Sequence, residues 1–153
     1  MCSNDLLRSH QFCKGADPDF VMHLVACGPV ERSWEAGRSI LTLGEVADRL
    51  HLIVDGDVSI GLHAPGGPPA VVQTLGSGDV LGLSWLIPPY RWAYDASAVT
   101  SVRAITIDAA KLRAAMADDP VFGYAVLSRL LIAMADRLQA TRLQLLDLYG
   151  PRR

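Results

Sequence analysis

Glycine-bearing turns recur at short intervals between Glu35 and Asp79, and the segments between them alternate apolar and polar with a period of two. Val30 to Trp34 is closed by Glu35-Ala36-Gly37, and Ser39 to Leu43 by Gly44-Glu45. Leu50 to Val54 is turned by Asp55-Gly56-Asp57 into Val58 to His63. Ala64-Pro65-Gly66-Gly67-Pro68-Pro69 reads as a loop tip, because proline removes ladder donors and glycine adds backbone entropy. Ala70 to Leu75 pairs back before the turn Gly76-Ser77-Gly78-Asp79, and Val99 to Ile107 completes the strands. Short strands at this spacing specify a β-sandwich or barrel and exclude βαβ units. Gly76-x-Gly78 is no nucleotide fingerprint, since neither a third glycine nor a following helix accompanies it.

Helical spacing flanks this region on both sides. Leu6 and Leu7, then Phe20, Leu24 and Val25, place two short helices before residue 30, broken near Gly15, the second starting at Asp17-Pro18 and ending at Gly28-Pro29. Asp108 to Ala117 forms a short helix, and Asp118-Asp119-Pro120 starts a second that runs to about Tyr149 and stops at Gly150-Pro151. Along that last helix Tyr124, Leu127, Leu131, Met134, Leu138, Thr141, Leu145 and Leu148 alternate three and four apart, a heptad seam. Val126 and Leu130 widen the stripe over the first half, where the helix packs on its own barrel. At roughly 1.5 Å per residue the second half overhangs a barrel this small, so Leu131, Met134, Leu138, Thr141, Leu145 and Leu148 are expected to form a homodimer interface.

A chain of 153 residues, half apolar and a fifth charged, makes one domain with a core that needs neither disulfides nor metals. The net charge of −2 gives no electrostatic footprint for nucleic acid, and the tail Pro151-Arg152-Arg153 is too short for a basic arm. No apolar run is long enough to span a bilayer, and MCSNDLLRSHQF is no secretory signal, so a cytoplasmic protein is expected. Cys2, Cys13 and Cys27 are odd in number. His10-x2-Cys13 and His23-x3-Cys27 match no ligand set, so no metal is expected.

Between barrel and helices lies LGLSWLIPPYRWAYDASA, Leu81 to Ala98, which holds two of the three tryptophans, two of the four tyrosines, Pro88-Pro89, Arg91 and Asp95. Alternation puts Trp92, Tyr94, Ala96 and Ala98 on one face and Arg91, Ala93, Asp95 and Ser97 on the other. Such a stretch serves as a ligand cradle or a docking surface. Catalysis finds little support. Gly82-x-Ser84-x-Leu86 lacks the second glycine of a nucleophile elbow, no motif gives His51 or His63 an acidic partner, and Asp55, Asp57, Asp118 and Asp119 sit at turns and caps.

Trp34-Glu35-x-Gly37, Leu43-Gly44-Glu45-x-Ala47-Asp48, His51-Leu52-Ile53-x-x-Gly56-x-Val58 and Gly78-Asp79-Val80-Leu81-Gly82, in this order, resemble the cyclic nucleotide-binding domain superfamily. The stretches WLIPPYRWAYDA and RLQATRLQLLDLYG look like a small, stand-alone bacterial subfamily of it. The resemblance implies an eight-stranded jelly-roll β-barrel at residues 30–107, mainly β with α. It also implies N-terminal helices at 1–29 and B and C helices at 108–150, all in one domain spanning 1–153, without the helix-turn-helix domain of the family's transcription regulators. It implies further a phosphate cassette, in which the family follows its glycine with a Glu for the ribose hydroxyl and ends on an Arg for the cyclic phosphate. Here Gly82 matches, Leu83 stands in the Glu slot, Trp92 in the Arg slot and Tyr94 in a small-residue slot, with Arg91 one place away. A neighbour on a strand substitutes only through a bulge or a register slip, and Pro88-Pro89 makes a bulge conceivable.

The expected ligand-binding residues are therefore Gly82, Leu83, Ser84, Trp85, Arg91, Trp92, Tyr94, Asp95 and Ala96. The ligand is a cyclic nucleotide if Arg91 reaches the pocket, and another nucleotide-like molecule if it does not. Two functions stay open. One is a non-catalytic sensor that signals through a dimerising C helix. The other is an accessory subunit whose aromatics fill the pocket and which docks on a partner protein or redox assembly. Direct DNA binding and membrane association are not expected.

Overall fold

The computed structural model describes residues 2–63 and 69–149. The expected loop tip at 64–68, the helix stop at 150–151 and the tail lie outside the described residues, as does the side chain of Leu148. Eight strands run β1 (Val30–Trp34), β2 (Ser39–Leu41), β3 (Arg49–Asp55), β4 (Val58–His63), β5 (Pro69–Leu75), β6 (Val80–Leu81), β7 (Asp95–Ala98) and β8 (Val102–Asp108). They form two four-stranded antiparallel sheets, in the orders β1-β8-β3-β6 and β2-β7-β4-β5. The architecture is the jelly roll that the resemblance implied.

Side-chain pattern decides which sheet the helices cover. β3 and β8 carry near-continuous apolar runs and are buried along most of their length on both faces, as strands covered on both sides must be. The register aligns Arg49, His51 and Ile53 of β3 with Asp108, Thr106 and Ala104 of β8, and β1 brings Arg32 and Trp34 onto the same face. That face looks across the barrel. Leu50, Leu52, Ile105 and Ile107 point the other way, all fully buried, and two helices, α1 (Ser3–Ser9) and α3 (Ala109–Asp118), contact β8. The second sheet contributes Leu41, Val58, Ile60, Leu75, Ala96 and Ala98 to the core.

Strand ends differ from expectation in instructive ways. Thr42 and Leu43 leave β2 early, because Glu45 N–H bonds the Thr42 carbonyl at 3.1 Å to make a turn. Residues 99–101 are a turn: Val99 N–H bonds the Asp57 carbonyl at 2.8 Å, and Thr100 Oγ1 accepts from Asp57 N–H at 3.0 Å. That turn closes on Gly56, where φ is +96° and an added Cβ would stand 2.2 Å from the Ser101 carbonyl. Only glycine fits there. β6, two residues long, is too short to be marked by periodicity.

A second short helix, α2 (Pro18–Ala26), and the long α4 (Pro120–Tyr149) complete the fold. Asp108 caps α3 through Lys111 N–H at 2.9 Å, and Asp119 caps α4 through Val121 N–H at 3.1 Å. The first turns of α4 are bolted to the N-terminal segment. His23 stacks on Phe122 with centroids 4.8 Å apart, and Arg129 lies over the Phe20 ring while donating to the Phe12 and Lys14 carbonyls. Val126 and Leu130 are buried as expected, whereas Leu131 is 71% exposed, Leu138 51% and Leu145 48%. Met134 and Thr141 are half-buried, Thr141 bonding back to the Arg137 carbonyl.

Candidate ligand site

β6 delivers the chain to Gly82, whose φ of +86° turns it into a single 3-10 turn, Ser84–Leu86. Leu86 N–H bonds the Leu83 carbonyl at 2.9 Å and Ile87 N–H the Ser84 carbonyl at 3.2 Å. The Pro88–Pro89 bond is cis, and Tyr90 follows with φ +59°. From there the chain runs alongside the β2–β3 connection. Ala47 N–H bonds the Tyr90 carbonyl at 2.8 Å, Trp92 N–H the Glu45 carbonyl at 2.9 Å, and Gly44 N–H the Trp92 carbonyl at 2.9 Å.

These hydrogen bonds set which way the alternate side chains face. Trp92 turns inward and is 5% exposed. Its ring lies so close to Gly82 that a Cβ there would be 2.5 Å from Cζ3. On another side the ring meets His51, 6.1 Å between centroids, and His51 is edge-on to Trp34 at 5.8 Å. Arg91 turns outward, is exposed, and donates from Nη1 to the Gly44 carbonyl at 3.0 Å. A register irregularity does occur here, between Ser39 and Leu41 where β2 pairs with β7, but it leaves Trp92 inside and Arg91 outside.

Of the other residues expected at the site, Gly82, Trp85 and Ala96 are buried, while Leu83, Ser84, Tyr94 and Asp95 are half-buried. Trp85 is fully buried, and its indole Nε1 has no hydrogen-bond partner among the described residues. Asp95 Oδ1 accepts from Leu43 N–H at 2.8 Å, a backbone-tying role. Burial raises the Tyr94 phenol, and the Arg137 guanidinium beside it works against that shift. Arg137, on α4, also donates to the Val80 carbonyl.

Four contributing residues were not expected at the site from the sequence. Arg113 of α3 donates to the Trp85 carbonyl and lies over the Tyr90 ring, 4.4 Å from its centroid. Arg137 ties α4 to β6. His51 and Trp34 build the wall behind Trp92. No local pattern marks either arginine, because both sit on helices otherwise read for their apolar stripe; the aromatic content of Trp34 and His51 was visible, their meeting was not.

The cysteine and histidine pairs near the N-terminus are engaged elsewhere. His10 Nδ1 accepts from Phe12 N–H at 3.0 Å, so Nε2 carries the proton and donates to the Ile53 carbonyl at 2.8 Å. His23 Nε2 lies 3.1 Å from an Asp119 carboxylate oxygen, and Cys27 Sγ donates to the His23 carbonyl at 3.3 Å. Burial holds the Cys13 thiol up to about 11, and pushes that of Cys27 up, which keeps both protonated and unreactive at neutral pH. Among the described residues no group of three or more His, Cys, Asp or Glu is placed to hold a metal ion, and no helix is long and apolar enough to cross a membrane.

Residues 31–119 match the cyclic nucleotide-binding domain family. The chain is 30% identical over 146 residues to a CRP-like cAMP-activated global transcriptional regulator of Mycobacterium tuberculosis, covering 95% of this chain and 62% of that regulator. It therefore spans less than two thirds of that relative's length. Among solved structures, a cyclic nucleotide-binding protein from Geobacter metallireducens GS-15 superposes with TM-score 0.78 at 25% identity, covering 90% of this chain and 99% of the other. The Thermus thermophilus catabolite activator protein superposes with TM-score 0.68 at 24% identity, covering 90% and 62% respectively, a likeness of fold. Glycine turns, jelly roll and long C-terminal helix thus agree with a match over more than half of the sequence: the chain belongs to the cyclic nucleotide-binding domain family.

Proposed function

We infer that this chain is a non-catalytic regulatory domain, dimeric through α4, whose phosphate cassette is held closed by its own Trp92. The observation that carries this reading is the contact between Trp92 and Gly82. In the cassette slots set out above, the guanidinium that pairs with a cyclic phosphate is replaced by an indole packed on the cassette glycine. Arg91 offers no substitute from its outward position. Losing one charged hydrogen bond to a ligand costs about 1.5–3 kcal/mol, or one to two decades of affinity. Output would run through α3 and α4, which Arg113 and Arg137 fasten to the cassette. A domain closed in this way suits docking on a partner protein.

A ligand-gated form has one observation in its favour. Arg137 and Tyr94 meet at the edge of the cassette, so a nucleotide-like molecule entering there would act on α4 directly. Calorimetry with cyclic AMP, cyclic GMP, NAD(P) and flavins decides between the two. The closed reading expects no heat from any of them; saturable binding of any one overturns it and establishes the gated form.

A further inference from the structure

The cassette is not the barrel's only opening. Where β1, β3 and the β2–β3 connection meet, a cavity of about 520 Å³ opens at the barrel mouth, lined among others by Arg32, Trp34, Arg49, His51, Arg91 and Trp92. None of Gly82, Leu83 or Ser84 lines it, nor does any residue of α4. The Trp92 ring is the wall between this cavity and the cassette.

We propose that this cavity binds a small planar aromatic anion, with its ring against Trp34, His51 and Trp92 and its carboxylate or phosphate on Arg32 and Arg49.

Three observations converge on that class. The volume lies within the range of pockets that enclose small molecules. Three aromatic rings are already grouped, Trp34 edge-on to His51 at 5.8 Å and His51 tilted 35° to Trp92 at 6.1 Å, an arrangement that favours a further flat ring. Three guanidinium groups outnumber the two carboxylates in the lining, Glu45 and Asp48, which selects against cations. Guanidinium forks fit carboxylate and phosphate oxygens two at a time. His51 itself is 4% exposed with its Nδ1 buried, and burial, reinforced by Arg32, holds the ring neutral with its pKa lowered to about 4, so it stands in the cavity wall as an uncharged ring.

The site does not depend on the regulatory reading above, since binding is measured directly whatever the domain controls. Four matched probes separate the contributions: benzoate, phenyl phosphate, cyclohexanecarboxylate and benzamide. Calorimetry on the whole chain should show saturable one-to-one binding of benzoate or phenyl phosphate, the better of the two identifying the anionic group. Cyclohexanecarboxylate, which is charged but not planar, and benzamide, which is planar but uncharged, should bind at least about tenfold more weakly. Arg32→Gln and Arg49→Gln should each weaken the preferred probe by about tenfold, whereas Arg8→Gln, at an exposed side chain that does not line the cavity, should leave it unchanged. Arg32 is exposed, so its variant folds and keeps the test valid. The proposal is overturned if neither anion saturates below about 10 mM. It is equally overturned if cyclohexanecarboxylate binds as well as benzoate, or if Arg8→Gln costs as much as Arg32→Gln.

Discussion

The indole of Trp92 occupies the space that any side chain at residue 82 would need: a Cβ on Gly82 would stand 2.5 Å from Trp92 Cζ3 and 3.3 Å from Cε3. Backbone and side chain thus specify each other across ten residues of sequence. Gly82→Ala meets both the positive φ and the ring, so it should destabilise the fold by about 2–4 kcal/mol in urea denaturation. Adding Trp92→Ala should return the steric part, and a double-mutant cycle without coupling between the two would mean that they do not share this space.

Replacing Leu83 by Glu and Trp92 by Arg together rebuilds the charged anchors of the family's cassette. This double variant should bind cyclic AMP more tightly than the parent chain, read by calorimetry. Its fold should be weaker by about 2–3 kcal/mol, because a guanidinium buried without its phosphate is costly.

His51 makes stability fall on acidification. Its folded pKa is about 4, below the 6.5 of an exposed imidazole, and desolvation is the main cause. Between those values the unfolded chain takes up a proton that the folded chain refuses, so the contribution is complete above pH 6.5 and drains away toward pH 4. The slope is about 1.4 kcal/mol per pH unit, for a total on the order of 3 kcal/mol. His10, also lowered by burial, adds in the same direction. In His51→Phe the slope of denaturation free energy against pH over this window should shrink; an unchanged slope would show that His51 does not titrate this way.

The exposed half of α4 carries the dimer expectation. Leu131 and Leu138 face solvent, and Leu83, Leu86 and Ile87 of the cassette line an apolar groove with Leu127, Leu131 and Met134. Leu138→Asp should convert dimer to monomer in sedimentation velocity with little change in the thermal midpoint of the monomer fold. A parent chain already monomeric at the same concentration would sink the interface.

Fold was far more legible in the sequence than site. Glycine turns and period-two runs located all the longer strands, and Asp119-Pro120 located the start of α4, because those signals are local. The alternation that puts Arg91 and Trp92 on opposite faces was equally local, but which of the two turns inward was not legible, and the structure buries Trp92 and exposes Arg91. The site beyond it depends on residues far apart in sequence. Arg113 reaching Tyr90, Arg137 reaching Val80 and Trp34 meeting His51 arise from helix docking and strand register, which no single window encodes. Thr100 falls in the expected Val99 to Ile107 strand, but its hydroxyl accepting from Asp57 N–H explains why it is turn instead.

Trp92 is a partition with the arginine-lined mouth on one surface and the Gly82 backbone packed against the other. The mouth cannot be enlarged or narrowed at this side chain without changing what Gly82 packs on. Any smaller residue at this position would open space beside Gly82, and any ligand that pushes on the indole from the mouth must be felt by Gly82 behind it. A single side chain therefore couples what the domain admits at its rim to the backbone geometry at its centre.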